Sequence, residues 1–278
     1  MPELPEVECL SRAIKSVLEG KRIQDVKFYR KDLRGEIPIQ KFRSLLVGQA
    51  VTKVHRRSKY MLWDTAQGIG IIHLGMTGNV IYRQTPTPEL AHTHAVFTVG
   101  DKAGDPSGYL HYVDPRRFGW ISCCTHDEFP DHDFFKKLGP EPLSQIDLVD
   151  YLWVKSRKKT VAIKNFLMNA HVVVGVGNIY ANEALFRAGV RPSRPAGKVS
   201  RKEMDRIVPS IRETLREAIK AGGTSFRDFK NADGEPGYFA IKLQVYGRGG
   251  QECRSCGNLI KTSRLGNRAT YFCTHCQK

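Results

Sequence analysis

The chain has 278 residues, of which 41% are hydrophobic, and it carries a formal net charge of +16 at pH 7. This length can bury a substantial core in two domains, and the excess of cations indicates a polyanionic partner, with nucleic acid ahead of an anionic membrane. No apolar run approaches the roughly 18 residues of a membrane span, and the first residues carry glutamates where a signal peptide carries lysines, so we expect a cytoplasmic protein that does not act at a membrane.

The first eight residues, Met-Pro-Glu-Leu-Pro-Glu-Val-Glu, combine a helix start with a candidate nucleophile. If Met1 is removed, Pro2 carries a free secondary amine, with the carboxylates of Glu3 and Glu6 close by in sequence. An α-amino group with a pKa of about 8 is partly neutral near pH 7, and its attack on a sugar carbon forms an iminium that can accept electrons in an elimination. Pro5 and the acidic residues also suit an ordinary first helical turn, and an apolar stripe at helical spacing follows, formed by Val7, Leu10, Ile14, Val17 and Leu18. Both interpretations stand at this point.

The middle of the chain changes from strands to helices. Residues 23–29 alternate like a strand, and from residue 50 to about 124 β-rich runs follow one another with turn signals between them. Such spacing predicts an antiparallel sandwich or barrel. Prolines accumulate at 125–145, where we place the domain junction, and residues 146–222 have helical periodicity, clearest at 200–222.

Three features of the β-rich half bear on function. The segment His-Arg-Arg-Ser-Lys-Tyr reads as a strand in which Arg57 and Lys59 share a face, although a solvated sheet edge explains it equally well. Met76 lies in a Gly-Met-Thr-Gly turn, where it could wedge between bases, but packing in the core is the more usual use of a methionine. The segment Asp-Pro-Arg-Arg-Phe-Gly presents Arg116 beside the aromatic ring of Phe118, a combination that can stack on bases.

The helical half adds two candidate phosphate contacts. Residues 155–160 place four cations within five positions, a run that is either solvated or faces phosphate. Gly175 and Gly177 predict a tight turn before a helix capped by Asn178, whose free N–H groups would favour phosphate. A plain N-cap explains this second pattern as well.

The C-terminal 29 residues contain the strongest local signal. Two Cys-x₂-Cys pairs are separated by sixteen residues, which is the spacing of a four-thiolate zinc site formed by Cys253, Cys256, Cys273 and Cys276. A redox dithiol is the competing interpretation, and two separated pairs fit it poorly. Because four thiolates complete a tetrahedral shell, we expect one structural zinc ion and no catalytic water on it.

Together these segments resemble the formamidopyrimidine-DNA glycosylase family, whose relatives include endonuclease VIII. The matching segments occur in the family's order and cover nearly the whole chain; they are Pro2 to Glu8, Arg57-Ser58-Lys59-Tyr60, His73-Leu74-Gly75-Met76, Asp114 to Gly119, Gly175 to Tyr180 and the cysteine-bearing tail. The resemblance implies a bilobal α+β fold with three parts, namely an N-terminal antiparallel β-sandwich with an N-terminal helix (1–130), a helix–two-turn–helix domain (131–249) with a lesion-capping loop (223–246), and a zinc ribbon (250–278).

The same resemblance implies a bifunctional DNA glycosylase and AP lyase of base-excision repair. It would excise 8-oxoguanine and formamidopyrimidines from duplex DNA, after the damaged nucleotide is flipped out of the stack, and would work as a monomer in the bacterial cytosol. By resemblance, Pro2 is the nucleophile, Glu3 the general acid and Glu6 a support for the terminus. Lys59 is the proton donor in β-elimination, and Arg268 is linked to δ-elimination.

The resemblance also implies a set of DNA contacts. Side chains that fill the space of the flipped nucleotide and address the opposite strand are Met76, Arg116 and Phe118. Side chains that contact phosphate and the DNA backbone are His73, His92, Lys159, Lys164 and Asn178. Lys158 remains an alternative to Lys159, because one extra residue separates this run from Lys164.

Two other functions stay open from the sequence. An endonuclease VIII-like enzyme for oxidised pyrimidines is the nearest, although Leu4, the Arg116–Phe118 loop and the long segment 223–246 favour the purine enzyme. A non-catalytic protein that binds damaged DNA would need the charge, the wedges and the zinc, but it would not need Pro2 and Glu3 as a pair.

Overall fold

The computed structural model describes residues 2–86, 90–101, 104–222 and 243–278, which divide into two compact units. The first unit runs to Lys136, and the second contains residues 137–221 together with 243–278. Residues 223–242, most of the predicted lesion-capping loop, lie outside the described residues.

Eight antiparallel strands form two four-stranded sheets in the first unit, as the sequence predicts. The sheet with the order β1-β6-β7-β5 consists of β1 (Arg22–Phe28), β5 (Asn79–Arg83), β6 (Thr93–Gly100) and β7 (Gly108–Val113). The sheet with the order β2-β3-β4-β8 consists of β2 (Lys53–Arg57), β3 (Tyr60–Asp64), β4 (Ile69–His73) and β8 (Trp120–Cys124).

Two helices complete the hydrophobic core of this unit. Helix α1 (Leu4–Leu18) buries Val7, Leu10 and Ile14, which is the apolar stripe read from the sequence. Helix α2 (Ile39–Leu46) adds the buried ring of Phe42. Complete burial of each such side chain stabilises the fold by about 1.5–3 kcal/mol.

The predicted shared face of Arg57 and Lys59 is wrong. Arg57 is the last residue of β2 and pairs with Tyr60, the first residue of β3, so Ser58 and Lys59 form the turn of a hairpin. Ser58 adopts a φ of 57°, the left-handed conformation that such a turn requires. The cation at 59 therefore projects from a turn, where strand alternation does not apply.

The second unit combines helices with a two-stranded ribbon. Its helices are α3 (Leu148–Ser156), α4 (Ile163–Met168), α5 (Asn178–Arg187) and α6 (Arg201–Lys220), with a short 3₁₀ helix (Ala196–Lys198) before α6. Helix α6 begins after Ser200, which forms a capping box with Glu203, and it confirms the helix expected over 200–222. None of the helices within the described ranges is both long and apolar enough to cross a membrane.

The structure corrects one capping assignment and explains the ribbon's turn. Helix α5 begins at Asn178 and is capped by Gly177, so Asn178 is the first helical residue and not the N-cap. The ribbon strands β9 (Ile260–Leu265) and β10 (Arg268–Cys273) are joined by Gly266 and Asn267, both with positive φ. Two positive φ values at the centre of a two-residue loop match the twist of a hairpin.

Candidate active site and nucleic-acid contacts

The N-terminal residues of the predicted active site are buried together at the start of α1. Pro2 is buried, and Glu3 and Glu6 are each only 2% exposed. Glu3 is the N-cap of the helix, and its N–H donates to Glu6 Oε2 at 2.8 Å in a capping box. The Glu6 carboxylate thus fixes the backbone of Glu3.

Lys59, in the hairpin turn before β3, lies close to His73 at the end of β4. Tyr60 pairs with His73 across β3 and β4, with ring centroids 4.7 Å apart. Burial, together with the nearby positive charges of Lys59 and Arg34, lowers the pKa of His73 to about 4. Nδ1 of His73 accepts the Gly75 N–H at 3.1 Å, so the neutral ring carries its proton on Nε2 and can donate to phosphate without becoming charged.

The turn that carries Met76 packs against the loop that carries Arg116 and Phe118. A Cβ atom at Gly75 would lie 2.3 Å from the carbonyl carbon of Phe118, so only glycine permits this approach. The Arg116 guanidinium lies 4.6 Å from the centroid of the Phe118 ring, which is 40% exposed, whereas Met76 is half-buried. An exposed aromatic ring with an arginine stacked on it suits contact with bases.

Asp114 organises this loop, a role that the sequence analysis missed. Its fully buried carboxylate accepts from Thr77 Oγ1 at 2.6 Å and from the Gly119 N–H at 2.8 Å. The Asp114 N–H donates to the His92 carbonyl at 3.1 Å, and His92 has a φ of 66°. Through its carboxylate and its backbone N–H, Asp114 therefore ties together three chain segments that carry predicted DNA contacts. Its position in the Asp-Pro-Arg-Arg segment was the sequence feature that could have indicated this role.

In the second unit, Lys164, Asn178 and Arg268 meet at one point of the ribbon. The Ala269 carbonyl accepts from Lys164 Nζ at 2.9 Å and from Asn178 Nδ2 at 3.1 Å. Arg268, the preceding residue, is exposed, whereas Lys164 is completely buried and also donates to Thr270 Oγ1 at 2.7 Å. Lys159 is exposed in the loop after α3.

Two further polar residues of α5 bind the ribbon and the segment that leads into it, and the sequence analysis missed both. The Glu183 carboxylate accepts the backbone N–H groups of residues 244, 245 and 246 at 2.8, 3.0 and 2.8 Å. Asn182 Oδ1 accepts the Tyr271 N–H of β10 at 2.8 Å. The sequence feature that could have indicated this role was a pair of polar residues on the buried side of a helix. The sequence does not show which backbone groups such residues bind.

The four cysteine thiols converge as the spacing predicts. Their sulfur atoms all lie within 4.8 Å of one another, with Cys253 and Cys276 at 3.9 Å and Cys256 and Cys273 at 3.5 Å. Tetrahedral zinc with Zn–S bonds of about 2.3 Å needs sulfurs about 3.8 Å apart, so the donor set fits the ion. Gly257, with a φ of 76°, forms the first knuckle turn, and the site holds one structural zinc ion.

Comparisons with known proteins decide the family. Three family models match in succession: the formamidopyrimidine-DNA glycosylase N-terminal domain at residues 1–121, the formamidopyrimidine-DNA glycosylase H2TH domain at 138–230, and the zinc finger found in FPG and IleRS at 250–278. The formamidopyrimidine-DNA glycosylase of Idiomarina loihiensis is 46% identical over 278 residues, which covers 100% of both chains. The chain belongs to the formamidopyrimidine-DNA glycosylase family.

Solved structures of family members share the fold. The Lactococcus lactis Fpg in complex with DNA that contains an abasic site has a TM-score of 0.89 and 31% identity, with 100% of both chains covered. The wild-type Lactococcus lactis Fpg (MutM) in complex with N7-benzyl-Fapy-dG DNA has a TM-score of 0.88 at the same identity and coverage. The predicted resemblance is thereby confirmed over the full length.

Proposed function

We propose that the protein excises oxidised purines, namely 8-oxoguanine and formamidopyrimidines, from duplex DNA and then cuts the strand at the resulting abasic site. Its family membership makes it a DNA glycosylase of base-excision repair. The relatives bound to abasic-site and Fapy-dG DNA support the substrate class. The observation that carries the proposal is this full-length match together with a buried Pro2, Glu3 and Glu6 at one helix start.

The chemistry starts at the N-terminus once Met1 has been removed. The Pro2 amine attacks C1′ of the damaged nucleotide, the base leaves, and Glu3 supplies a proton as the sugar ring opens. The product is an iminium between Pro2 and C1′, which stays cationic because proline is a secondary amine. Glu6 supports the nucleophile through its bond to the Glu3 backbone.

Strand cleavage follows from the same intermediate. The iminium acidifies the C2′ proton, so loss of that proton expels the 3′ phosphate with its electron pair, and Lys59 serves as the proton donor. A second elimination, to which we assign Arg268, expels the 5′ phosphate and leaves a one-nucleotide gap. The exposed side chain of Arg268 next to the start of α5 is consistent with a phosphate partner.

DNA binding draws on both units and on the excess of positive charge. His73, His92, Lys159 and Asn178 are assigned to phosphate and backbone, and Met76, Arg116 and Phe118 to the space that the flipped nucleotide leaves. Because the partner is chromosomal DNA, we place the enzyme in the bacterial cytoplasm. We keep the division into a sandwich (1–130), a helix–two-turn–helix domain (131–249) and a ribbon (250–278) as the working domain assignment.

Borohydride trapping tests the proposed reaction directly. The protein is incubated with a duplex that carries 8-oxoguanine opposite cytosine, reduced, and digested for mass spectrometry. We expect one reduced adduct, on the amine of Pro2, which establishes the nucleophile, the removal of Met1 and the lyase step together. If the duplex binds but no adduct forms, Pro2 is not the nucleophile on this lesion, and an adduct seen only with a thymine glycol duplex would assign the enzyme to pyrimidines.

Lys164 needs a separate test, because its buried position gives it a structural role that competes with the predicted DNA contact. We expect Lys164→Met to destabilise the second unit by about 1–3 kcal/mol, since the Ala269 and Thr270 oxygens lose their donor. It should leave the salt dependence of duplex binding unchanged, whereas Lys159→Met at the exposed site should lower the slope of log Kd against log salt by about 1. Thermal unfolding and binding titrations at several salt concentrations measure both effects. A lowered slope with unchanged stability for Lys164→Met would show that this lysine contacts phosphate after all.

A further inference from the structure

A chain of polar contacts in the first unit links α1 to the turn that carries Lys59. Arg56 Nε donates to Glu8 Oε2 at 2.9 Å, and Arg56 NH1 donates to the Ser58 carbonyl at 2.7 Å. Glu8 belongs to the helix that starts with Glu3, and Ser58 is the residue before Lys59 in the hairpin turn. One guanidinium therefore bridges the two elements that carry the proposed catalytic groups.

Arg56 is buried where it forms this bridge. The Arg56 side chain is only 8% exposed, because it follows Val54 on the face of β2 that packs under α1. A guanidinium withdrawn from water must keep its acceptors, and two of those of Arg56 lie on α1 and in the turn between β2 and β3. Arg56 can hold two oxygens at once because its donors form a planar fork, which a lysine cannot reproduce.

Glu8 supplies the matching negative charge. Burial opposes ionisation of this carboxyl, but the charge-assisted hydrogen bonds from Arg56 and Arg12 outweigh it, so the pKa of Glu8 is lowered. Arg12 donates to the other oxygen at 2.8 Å from a side chain that is 66% exposed. The two arginines thus differ in burial and in their second contact, because Arg56 and not Arg12 also donates to the turn that carries Lys59.

We propose that Glu8 and Arg56 are positioning residues that hold the Lys59 turn in register with Pro2 and Glu3 at the start of α1. The Ser58 φ of 57° is unfavourable for a residue with a side chain, so the turn needs an outside contact to keep this conformation. Buried ion pairs often contribute little net stability to a fold. The positioning of Lys59 therefore gives a reason for this buried pair that stability alone does not give. The inference deepens the proposed function and rests on the role of Lys59 in β-elimination.

The test separates positioning from binding and from folding. Arg56→Met removes both donors and keeps an apolar side chain in the buried site, Arg56→Lys keeps the charge, and Arg12→Met removes the exposed partner of the same carboxylate. Single-turnover β-elimination is measured on an abasic-site duplex, and Kd on a duplex with an uncleavable tetrahydrofuran site.

We expect Arg56→Met to slow β-elimination by about 10- to 100-fold, because a displacement of about 1 Å has effects of that size. Its Kd should stay within about threefold of the unmodified protein, Arg56→Lys should recover part of the rate, and Arg12→Met should match the unmodified protein.

A double-mutant cycle with Lys59→Met tests whether Arg56 affects the rate of β-elimination through Lys59. If Arg56 acts through Lys59, Arg56→Met should cause no further loss of rate in the Lys59→Met background. An equal loss in both backgrounds, an unchanged rate, or a loss that Kd follows in parallel would overturn the inference. Should Arg56→Met not fold by circular dichroism, Glu8→Gln replaces it, with the same direction expected and a smaller change. An unmodified protein that forms no borohydride adduct would instead refute the proposed function, so the two failures are distinguishable.

Discussion

A Glu3→Gln variant is expected to release 8-oxoguanine from duplex DNA about 10²- to 10⁴-fold more slowly than the unmodified protein, because an amide cannot donate the proton that a general acid supplies. The substitution keeps the size of the buried side chain and an oxygen for the capping interaction. On a duplex that already contains an abasic site, the sugar opens to its aldehyde without the proton from Glu3, so strand cleavage should stay within about tenfold of the unmodified rate. Single-turnover rates on the two duplexes measure the difference.

The control for this variant is Glu36→Gln, which removes a carboxylate from an exposed position of the same unit. It should change neither rate. An equal loss on both duplexes for Glu3→Gln would mean that Glu3 serves the Schiff-base chemistry or the fold and not the sugar-ring opening that accompanies base departure.

Removing zinc is expected to abolish detectable duplex binding while the β-sandwich stays folded. The ribbon has two strands and a small core of Val245, Cys253, Ile260 and Cys273, two of which are themselves zinc ligands. Metal binding supplies about 10–16 kcal/mol in small zinc domains, far more than such a core. Without the ion the strand that carries Arg268 loses its fixed place, whereas the first unit keeps its own core of more than twenty buried residues.

Chelator treatment, zinc quantification and circular dichroism check this result. The metal content should fall to zero, the sandwich signal should persist, and binding should return when zinc is added back. Cys9→Ser provides the control, because that cysteine lies outside the metal cluster. Full binding after verified loss of zinc would refute the structural role of the ion.

Local patterns in the sequence predicted much of this molecule. The cysteine spacing specified the zinc site, because each Cys-x₂-Cys knuckle is a local turn and tetrahedral zinc has to join two of them. Hydrophobic periodicity specified α1 and α6, and the turn signals between β-rich runs specified the antiparallel sandwich. The order of the short motifs specified the family.

Other predictions failed where a local pattern fits two structures. Alternation placed Lys59 on a strand, but a two-residue turn at Ser58 interrupts that strand, and alternation does not show where a hairpin folds back. Asn178 is a good N-cap residue, yet Gly177 takes that position and leaves the Asn178 side chain to bind the Ala269 carbonyl. Both outcomes depend on contacts with residues far away in the sequence.

By itself the sequence determined the family, the fold class, the metal ligands and the candidates for catalysis, since each of these rests on residue types at fixed local spacing. Only the tertiary structure decided which polar groups serve the fold, as with Asp114, Glu183 and the pair of Glu8 and Arg56. A carboxylate or an arginine has the same identity in the sequence whether it faces solvent or a buried backbone. Its partner and its burial, which decide its role, exist only once distant segments of the chain have packed together.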